Sequence, residues 1–216
     1  MAHEMLKDIK AVIFDLDGVL VDTAVYHYQA WQKLAAGLQF SFTLAHNEEL
    51  KGVSRVDSLK KILKWANVDC SAAEFQSLMD QKNNDYLAMV QQMRPAELLP
   101  GTLEFLQFLK DQHIKIALGS ASKNALLILE KMGLKDYFDV IIDGNAVQRS
   151  KPDPEVFLLA AQRLAIAPAA CLVFEDAQAG VEAALHAGMA VIGVIAKSQL
   201  SGCTAYVQDL SEMCKS

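Results

Sequence analysis

From residue 102 onward the chain alternates between two periodicities, and that alternation limits the fold more than any other feature. Helical patterns at 102–112, 123–132, 154–164 and 177–187 take turns with short apolar runs at 114–119, 139–142, 170–175 and 190–194; Gly133 and Gly188 stop two of the helices. Strands separated by crossover helices pair in parallel and carry helices on both faces of the sheet. One more apolar run, Ala11-Val12-Ile13-Phe14, stands apart near the N-terminus and reads as another buried strand. Between it and the alternating part no strand pattern occurs. Tyr26, Ala30, Leu34 and Leu38 repeat every four residues, with Trp31 and Ala35 beside them, and 47–65 and 72–93 read as two further helices. Arg94-Pro95-Ala96-Glu97-Leu98-Leu99-Pro100-Gly101 is a proline-punctuated connector back to the sheet. The expected architecture is an α/β parallel-sheet core formed by 1–22 and 94–216, with an all-α block, 23–93, inserted after the first strand.

Composition narrows the function. A 216-residue chain that is 52% hydrophobic has ample core for one large domain, or for one domain carrying an insertion. Its net charge of -6 argues against a nucleic-acid partner, which a basic stripe would have to meet. The apolar runs are strand-length and broken by charge, and Met1-Ala2-His3-Glu4 lacks a signal-peptide pattern, so the expectation is a cytoplasmic protein with no membrane partner. Cys70, Cys171, Cys203 and Cys214 are too scattered for a metal knuckle or a disulfide framework and read as reduced thiols. His3, His46, His113 and His186 sit in no supporting constellation, which leaves them structural or solvent roles.

Open parallel sheets bind ligands beyond the carboxyl ends of their strands, and these ends carry most of the polar oddities. The first strand runs into Asp15-Leu16-Asp17-Gly18. In an extended segment Asp15 and Asp17 project the same way, and two like charges that close need a cation, a shared proton, or both. Strand 114–119 ends in Gly119-Ser120-Ala121-Ser122-Lys123-Asn124, where small residues leave backbone N–H groups open to an anion, or where Ser and Asn serve as ordinary helix caps. Lys151 lies in Ser150-Lys151-Pro152-Asp153-Pro154, between conformationally restricted neighbours, and strand 170–175 ends in Glu175-Asp176. A solvated lysine and helix-terminal acids would explain the last two separately. Together, carboxylates from two strands can hold Mg²⁺, while Lys151 and the Ser120 loop grip a phosphoryl group.

This set, in this order and spacing, resembles the haloacid dehalogenase superfamily of phosphotransferases over essentially the whole chain. The resemblance implies a Rossmann-like core with an α-helical cap inserted after the first strand, Asp15 as a nucleophile that becomes an aspartyl phosphate, and Asp17 as general acid and base. It also implies Mg²⁺ held by Asp15, the main-chain carbonyl of Asp17, Glu175 and Asp176, and Ser120 and Lys151 on the transferring phosphate. In the inserted block, Glu49-Leu50-Lys51-Gly52-Val53-Ser54-Arg55-Val56-Asp57-Ser58-Leu59 and Lys82-Asn83-Asn84-Asp85-Tyr86, with Thr23, Tyr26, His27 and Trp31, look like the β-phosphoglucomutase subfamily. That likeness implies catalytic support from Thr23 and His27. It implies substrate contacts from Lys51, Gly52, Arg55, Ser58, Trp31, Lys82, Ala121, Ser122 and Asn124, and interconversion of β-D-glucose 1-phosphate and glucose 6-phosphate.

The chemistry of such a mutase asks for two phosphate grips, and Arg55 can be the distal one through its bidentate fork. If 47–65 is one helix, Lys51 and Arg55 share a face beside an anion; a solvated basic face continuing into Lys60, Lys61 and Lys64 is the plain alternative. His27 couples cap closure to Asp17 or is a satisfied hinge histidine, and the apolar face around Trp31 favours cap core over a sugar platform. Val21, Gly119 and Ala177 depart from the subfamily's usual threonine, alanine and serine. A sugar-phosphate phosphatase on the same fold is the alternative. A non-catalytic phosphosugar-binding module would need a lesion in this set, and none is visible. The expected partners are small sugar phosphates, and the expected state is a monomer.

Overall fold

The computed structural model describes residues 5–195 and 200–214, so His3 lies outside the described residues. Six parallel strands form one sheet: β1 (Ala11–Phe14), β2 (Lys115–Gly119), β3 (Val140–Ile142), β4 (Cys171–Glu175), β5 (Ala190–Val194) and β6 (Ala205–Val207), in the order β3-β2-β1-β4-β5-β6. β1 is central and pairs on both sides, with Phe14 opposite Leu118 on β2 and Phe174 on β4. That register sets Asp15, the first residue beyond β1, level with Gly119 and Glu175, the last residues of β2 and β4, and Asp15 N–H still bonds Phe174 O at 3.0 Å.

All four residues of β1 are buried, as a run without polar alternation demands. Val12 and Phe14 face one layer, where Phe14 stacks on Phe174 at 5.3 Å between ring centroids and meets the edge of Phe105 at 5.9 Å. Ala11 and Ile13 face the opposite layer with Ala117, Phe157, Val173 and Val181. Burying each such phenyl side chain contributes about 2–3 kcal/mol. The covering helices are α5 (Thr102–Asp111), α6 (Ala125–Lys131), α7 (Glu155–Leu164) and α8 (Gln178–His186).

Between β1 and this part lie α1 (Ala24–Gly37), α2 (Leu44–Glu48), α3 (Arg55–Ala66) and α4 (Ala72–Val90), with a core of their own around Trp31, Leu34, Leu59 and Ile62. Two short segments connect this cap to the sheet, and they lie side by side. Asp22 N–H bonds Glu97 O and Leu99 N–H bonds Leu20 O, both at 3.0 Å, around an antiparallel bridge between Val21 and Leu98.

Three expectations from the sequence need correction. The helix at 47–65 is two helices, because Gly52 takes φ +71° and Ser54 starts a new helix by accepting the Asp57 N–H at 3.1 Å. Lys51 and Arg55 therefore do not share a helix face. The helix at 123–132 begins only at Ala125. The sheet also gains β6, three residues too short to stand out in the pattern. No helix among the described residues is long and apolar enough to cross a membrane.

Candidate active site

The carboxyl ends of β1 and β4 converge on Lys151. Its Nζ donates to Asp15 Oδ1 at 2.6 Å and to Glu175 Oε1 at 2.5 Å, and it sits 4.9 Å from the centroid of the Phe157 ring. All three ionic residues are buried, and Lys151 joins Pro152 through a cis peptide. Burial alone would make the ammonium more acidic; Asp15 and Glu175 outweigh it and hold the lysine charged, with its pKa above the ordinary value. Glu175 Oε2 also accepts the Ala177 N–H at 2.9 Å. The fit is close enough to require glycines. A methyl group on Gly180 would lie 1.8 Å from Glu175 Oε1, and one on Gly18, itself at φ +84°, would lie 2.3 Å from Asp176 Oδ2.

Asp15, Glu175 and Asp176 place a carboxylate oxygen each within 4.8 Å of one another. Asp176 is the acid with least compensation. Burial first, then Glu175 and Asp15, push its pKa well above the carboxylate range, while Lys51 at 3.8 Å pulls the other way. A crowded set of hard oxygen donors with one lysine inside it suits a divalent cation such as Mg²⁺. Asp17 stands apart from that side-chain set, and its carboxylate accepts the Thr23 hydroxyl.

Burial and the neighbouring Asp15 raise the Asp17 pKa to about 6, against the Thr23 hydrogen bond, Lys82 and Lys151. A carboxyl tuned there can both give and take a proton near neutrality. Thr23, at the start of α1, is fully buried and spends its hydroxyl on Asp17 rather than on capping its own helix.

Behind Asp17 the cap supplies a second buried lysine. Lys82 Nζ lies 2.8 Å from His27 Nδ1, 4.8 Å from the Trp31 ring centroid and 4.6 Å from that of Tyr86, whose ring in turn packs 4.2 Å from His27. Burial, Lys82 and Arg55 lower the His27 pKa well below its ordinary value. The neutral imidazole then accepts from Lys82 at Nδ1 and turns its Nε2–H toward Asp17 Oδ1, 3.8 Å away. Trp31 is 3% exposed in the cap core, as the apolar face of its helix favours, and its ring also lines the cleft under Lys82. Tyr86, quoted in the sequence only as part of a motif, proves to be the surface that holds His27 and Lys82 together.

Burial, with help from Arg55 and against Asp17, depresses the Lys82 pKa from 10.5 to about 7. Between those values the unfolded chain binds more protons than the folded one, so this group's penalty is complete below about pH 7 and fades as pH rises. Stability of the wild type should therefore climb by up to about 5 kcal/mol from this group between pH 7 and 10.5. Lys82→Met should remove that slope. Urea melts of both proteins across this range test it, and parallel curves would contradict it.

The remaining expected residues line one cleft of about 360 Å³ between sheet and cap: Lys51, Gly52, Arg55, Ser58, Ser120, Ala121, Ser122 and Asn124 among them. Arg55, the first residue of α3, is half-buried and forms no salt bridge among the described residues. Lys51 instead pairs with Glu48 at 3.0 Å and reaches Asp176, which places it beside the acids rather than with Arg55. Ser120 Oγ accepts the Ser122 N–H at 3.1 Å, and Ser122 Oγ the Asn124 N–H at 3.2 Å, so these hydroxyls shape the loop. Asn124 spends its amide on Asn83 of α4, 3.0 Å across the seam. Lys123, passed over in the sequence, adds an exposed cation to the cleft wall. Gly119 is explained by packing, since a methyl there would meet the Phe157 ring at 2.9 Å. Ala177 receives the cap loop: a methyl on Gly52 would lie 3.2 Å from its Cβ.

Comparison with known proteins bears on the family and the fold. The family model described as haloacid dehalogenase-like hydrolase matches residues 9–188. A β-phosphoglucomutase from Bacillus subtilis is 42% identical over 207 residues, 95% of this chain and 92% of that protein. A phosphorylated carbohydrates phosphatase from Thermotoga maritima is 34% identical, over 87% of this chain and 86% of its own. The crystal structure of a β-phosphoglucomutase from Clostridium difficile superposes with a TM-score of 0.86 at 39% identity, covering 94% of this chain and 92% of the other.

Proposed function

The chain belongs to the haloacid dehalogenase-like hydrolase family, and from that premise we propose that it is a Mg²⁺-dependent mutase interconverting β-D-glucose 1-phosphate and glucose 6-phosphate. What supports a mutase over a phosphatase is one observation. A half-buried arginine without a salt bridge among the described residues, Arg55, lines the same cleft as the Asp15–Lys151 pair. A phosphatase needs one phosphate grip, whereas a mutase working through a sugar bisphosphate needs two.

In this reading the resting enzyme carries its phosphoryl group on Asp15. A sugar hydroxyl attacks phosphorus, the bond between phosphorus and the Asp15 oxygen breaks, and Asp17 takes the hydroxyl proton. The β-glucose 1,6-bisphosphate turns over in the cleft, Asp15 attacks its other phosphorus, and Asp17 returns the proton to the departing sugar oxygen. Lys151 and the Ser120 loop hold the transferring group, and Arg55 with Ser122 and Lys123 holds the other phosphate. Thr23 and His27 orient the Asp17 carboxyl. Mg²⁺ bound by Asp15, Asp176 and Glu175, with the Asp17 main chain, would neutralise charge on the transferring oxygens. A closed cap excludes water from the aspartyl phosphate. The protein acts on small sugar phosphates as a monomer.

The test is a coupled assay with β-glucose 1-phosphate, Mg²⁺ and a catalytic amount of bisphosphate. Glucose 6-phosphate is the expected product. The second reading, a sugar-phosphate phosphatase, has the 34% identical Thermotoga protein on its side; release of inorganic phosphate without glucose 6-phosphate would establish it instead.

A further inference from the structure

Asp57 is absorbed by none of the roles above, yet it joins the two halves of the cleft. Its Oδ2 accepts the Ser54 hydroxyl at 2.7 Å within the first turn of α3, and the Ser150 hydroxyl at 3.0 Å across the seam between cap and sheet. Ser54 caps the helix that Arg55 begins, and Ser150 immediately precedes Lys151. One carboxylate oxygen thus ties the turn that presents one cleft cation to the segment that presents the other. The tie does not overlap the reacting groups, because Lys151 sends its side chain inward to Asp15 and Glu175. Other polar ties between cap and sheet, Asn83 with Asn124 and Lys51 with Asp176 among them, do not join these two segments.

A half-buried serine–carboxylate bond is by itself an ordinary contact of modest worth. Its position gives it leverage, since a shift of about 1 Å in a substrate-positioning group costs on the order of a hundredfold in rate. We propose that Asp57 is a positioning residue which, through Ser150, fixes the span between Arg55 and Lys151 in the closed cleft and so matches it to a six-carbon bisphosphate. This inference rests on the mutase reading for its ligand, but the latch itself can be tested without it.

The experiment compares wild type with Ser150→Ala, Ser150→Thr, Asp57→Ala and the double variant Asp57→Ala/Ser150→Ala, using Ser54→Ala to control for loss of the helix cap. Asp15 is phosphorylated with acetyl phosphate, and hydrolysis of the phosphoenzyme is followed. In that hydrolysis water attacks phosphorus, the bond to Asp15 breaks, and inorganic phosphate leaves. Ser150→Ala should hydrolyse about three- to tenfold faster than wild type, with the rate of phosphorylation by acetyl phosphate within about twofold. Its kcat/KM for β-glucose 1-phosphate should fall about fivefold or more, and its preference for glucose 1,6-bisphosphate over a pentose bisphosphate as phosphoryl donor should narrow. Ser150→Thr, which keeps the hydroxyl, should restore both. The double variant should be no worse than Asp57→Ala alone. Unchanged hydrolysis in Ser150→Ala, additive effects in the double variant, or equal effects from Ser54→Ala would overturn the latch. A wild type that forms no glucose 6-phosphate would sink the mutase reading, while the hydrolysis rates would still decide the latch.

Discussion

Asp15→Asn should leave a folded protein with no turnover, a loss of at least about 10⁴-fold. The carboxamide keeps the shape of the side chain but has no anionic oxygen to form a bond to phosphorus, so the first covalent step has no donor. Folding should survive, because Lys151 keeps its 2.5 Å partner Glu175 and because Asp15 is one of the charges that push Asp176 up. Removing one acid from a crowded trio relieves repulsion as well as breaking one ion pair. Intact-mass measurement after incubation with acetyl phosphate should show a phosphorylated wild type and an unmodified variant, both with native circular dichroism. A phosphorylated Asp15→Asn protein would remove Asp15 from the centre of the mechanism.

Arg55→Ala has the next largest expected effect, a loss of about 10²–10³ in kcat/KM for β-glucose 1-phosphate, or roughly 3–4 kcal/mol of transition-state stabilisation. The guanidinium is half-buried, lines the cleft and forms no salt bridge among the described residues, with Asp80 acting on it only at longer range, so its donors are open to a ligand phosphate. Burial lowers its pKa somewhat, yet a guanidinium remains charged throughout the working range. Acetyl phosphate has no second phosphate to lose. Its transfer to Asp15 should therefore fall far less than mutase flux does, and parallel losses in the two assays would contradict a distal grip.

Much of this candidate site is legible in the sequence because most of its charged groups stand at the end of an apolar strand or just before a helix. Asp15 and Ser120 directly follow β1 and β2 and Glu175 ends β4, and the parallel register of those strands brings the three to one edge of the sheet without further information. The local break at 49–54 was harder to read. Lys51-Gly52 lies in a run whose polar spacing suits a helix, and only the left-handed Gly52 and the Ser54 cap end it. That one turn redirects Lys51 from Arg55 to Asp176. Contacts across the seam have no local signature at all. Asp57 and Ser150 are 93 residues apart, and Asn83 and Asn124 are 41 apart, so nothing in either segment announces the other. Lys82 was visible as a residue, but its depressed pKa depends on Trp31, Tyr86 and His27 closing around it.

The paired connectors between sheet and cap bear on how such an enzyme can move. A single flexible tether would let the inserted helices swivel in any direction, like a ball in a socket. Here both strands of the tether are hydrogen-bonded to each other at residues 20–22 and 97–99, and Val21 also bridges back to Asp17. A two-stranded ribbon bends across its face far more easily than it shears along its length. The pairing thus favours a cap motion about one axis, like a door, with the Asp17 carboxyl mounted beside the pin.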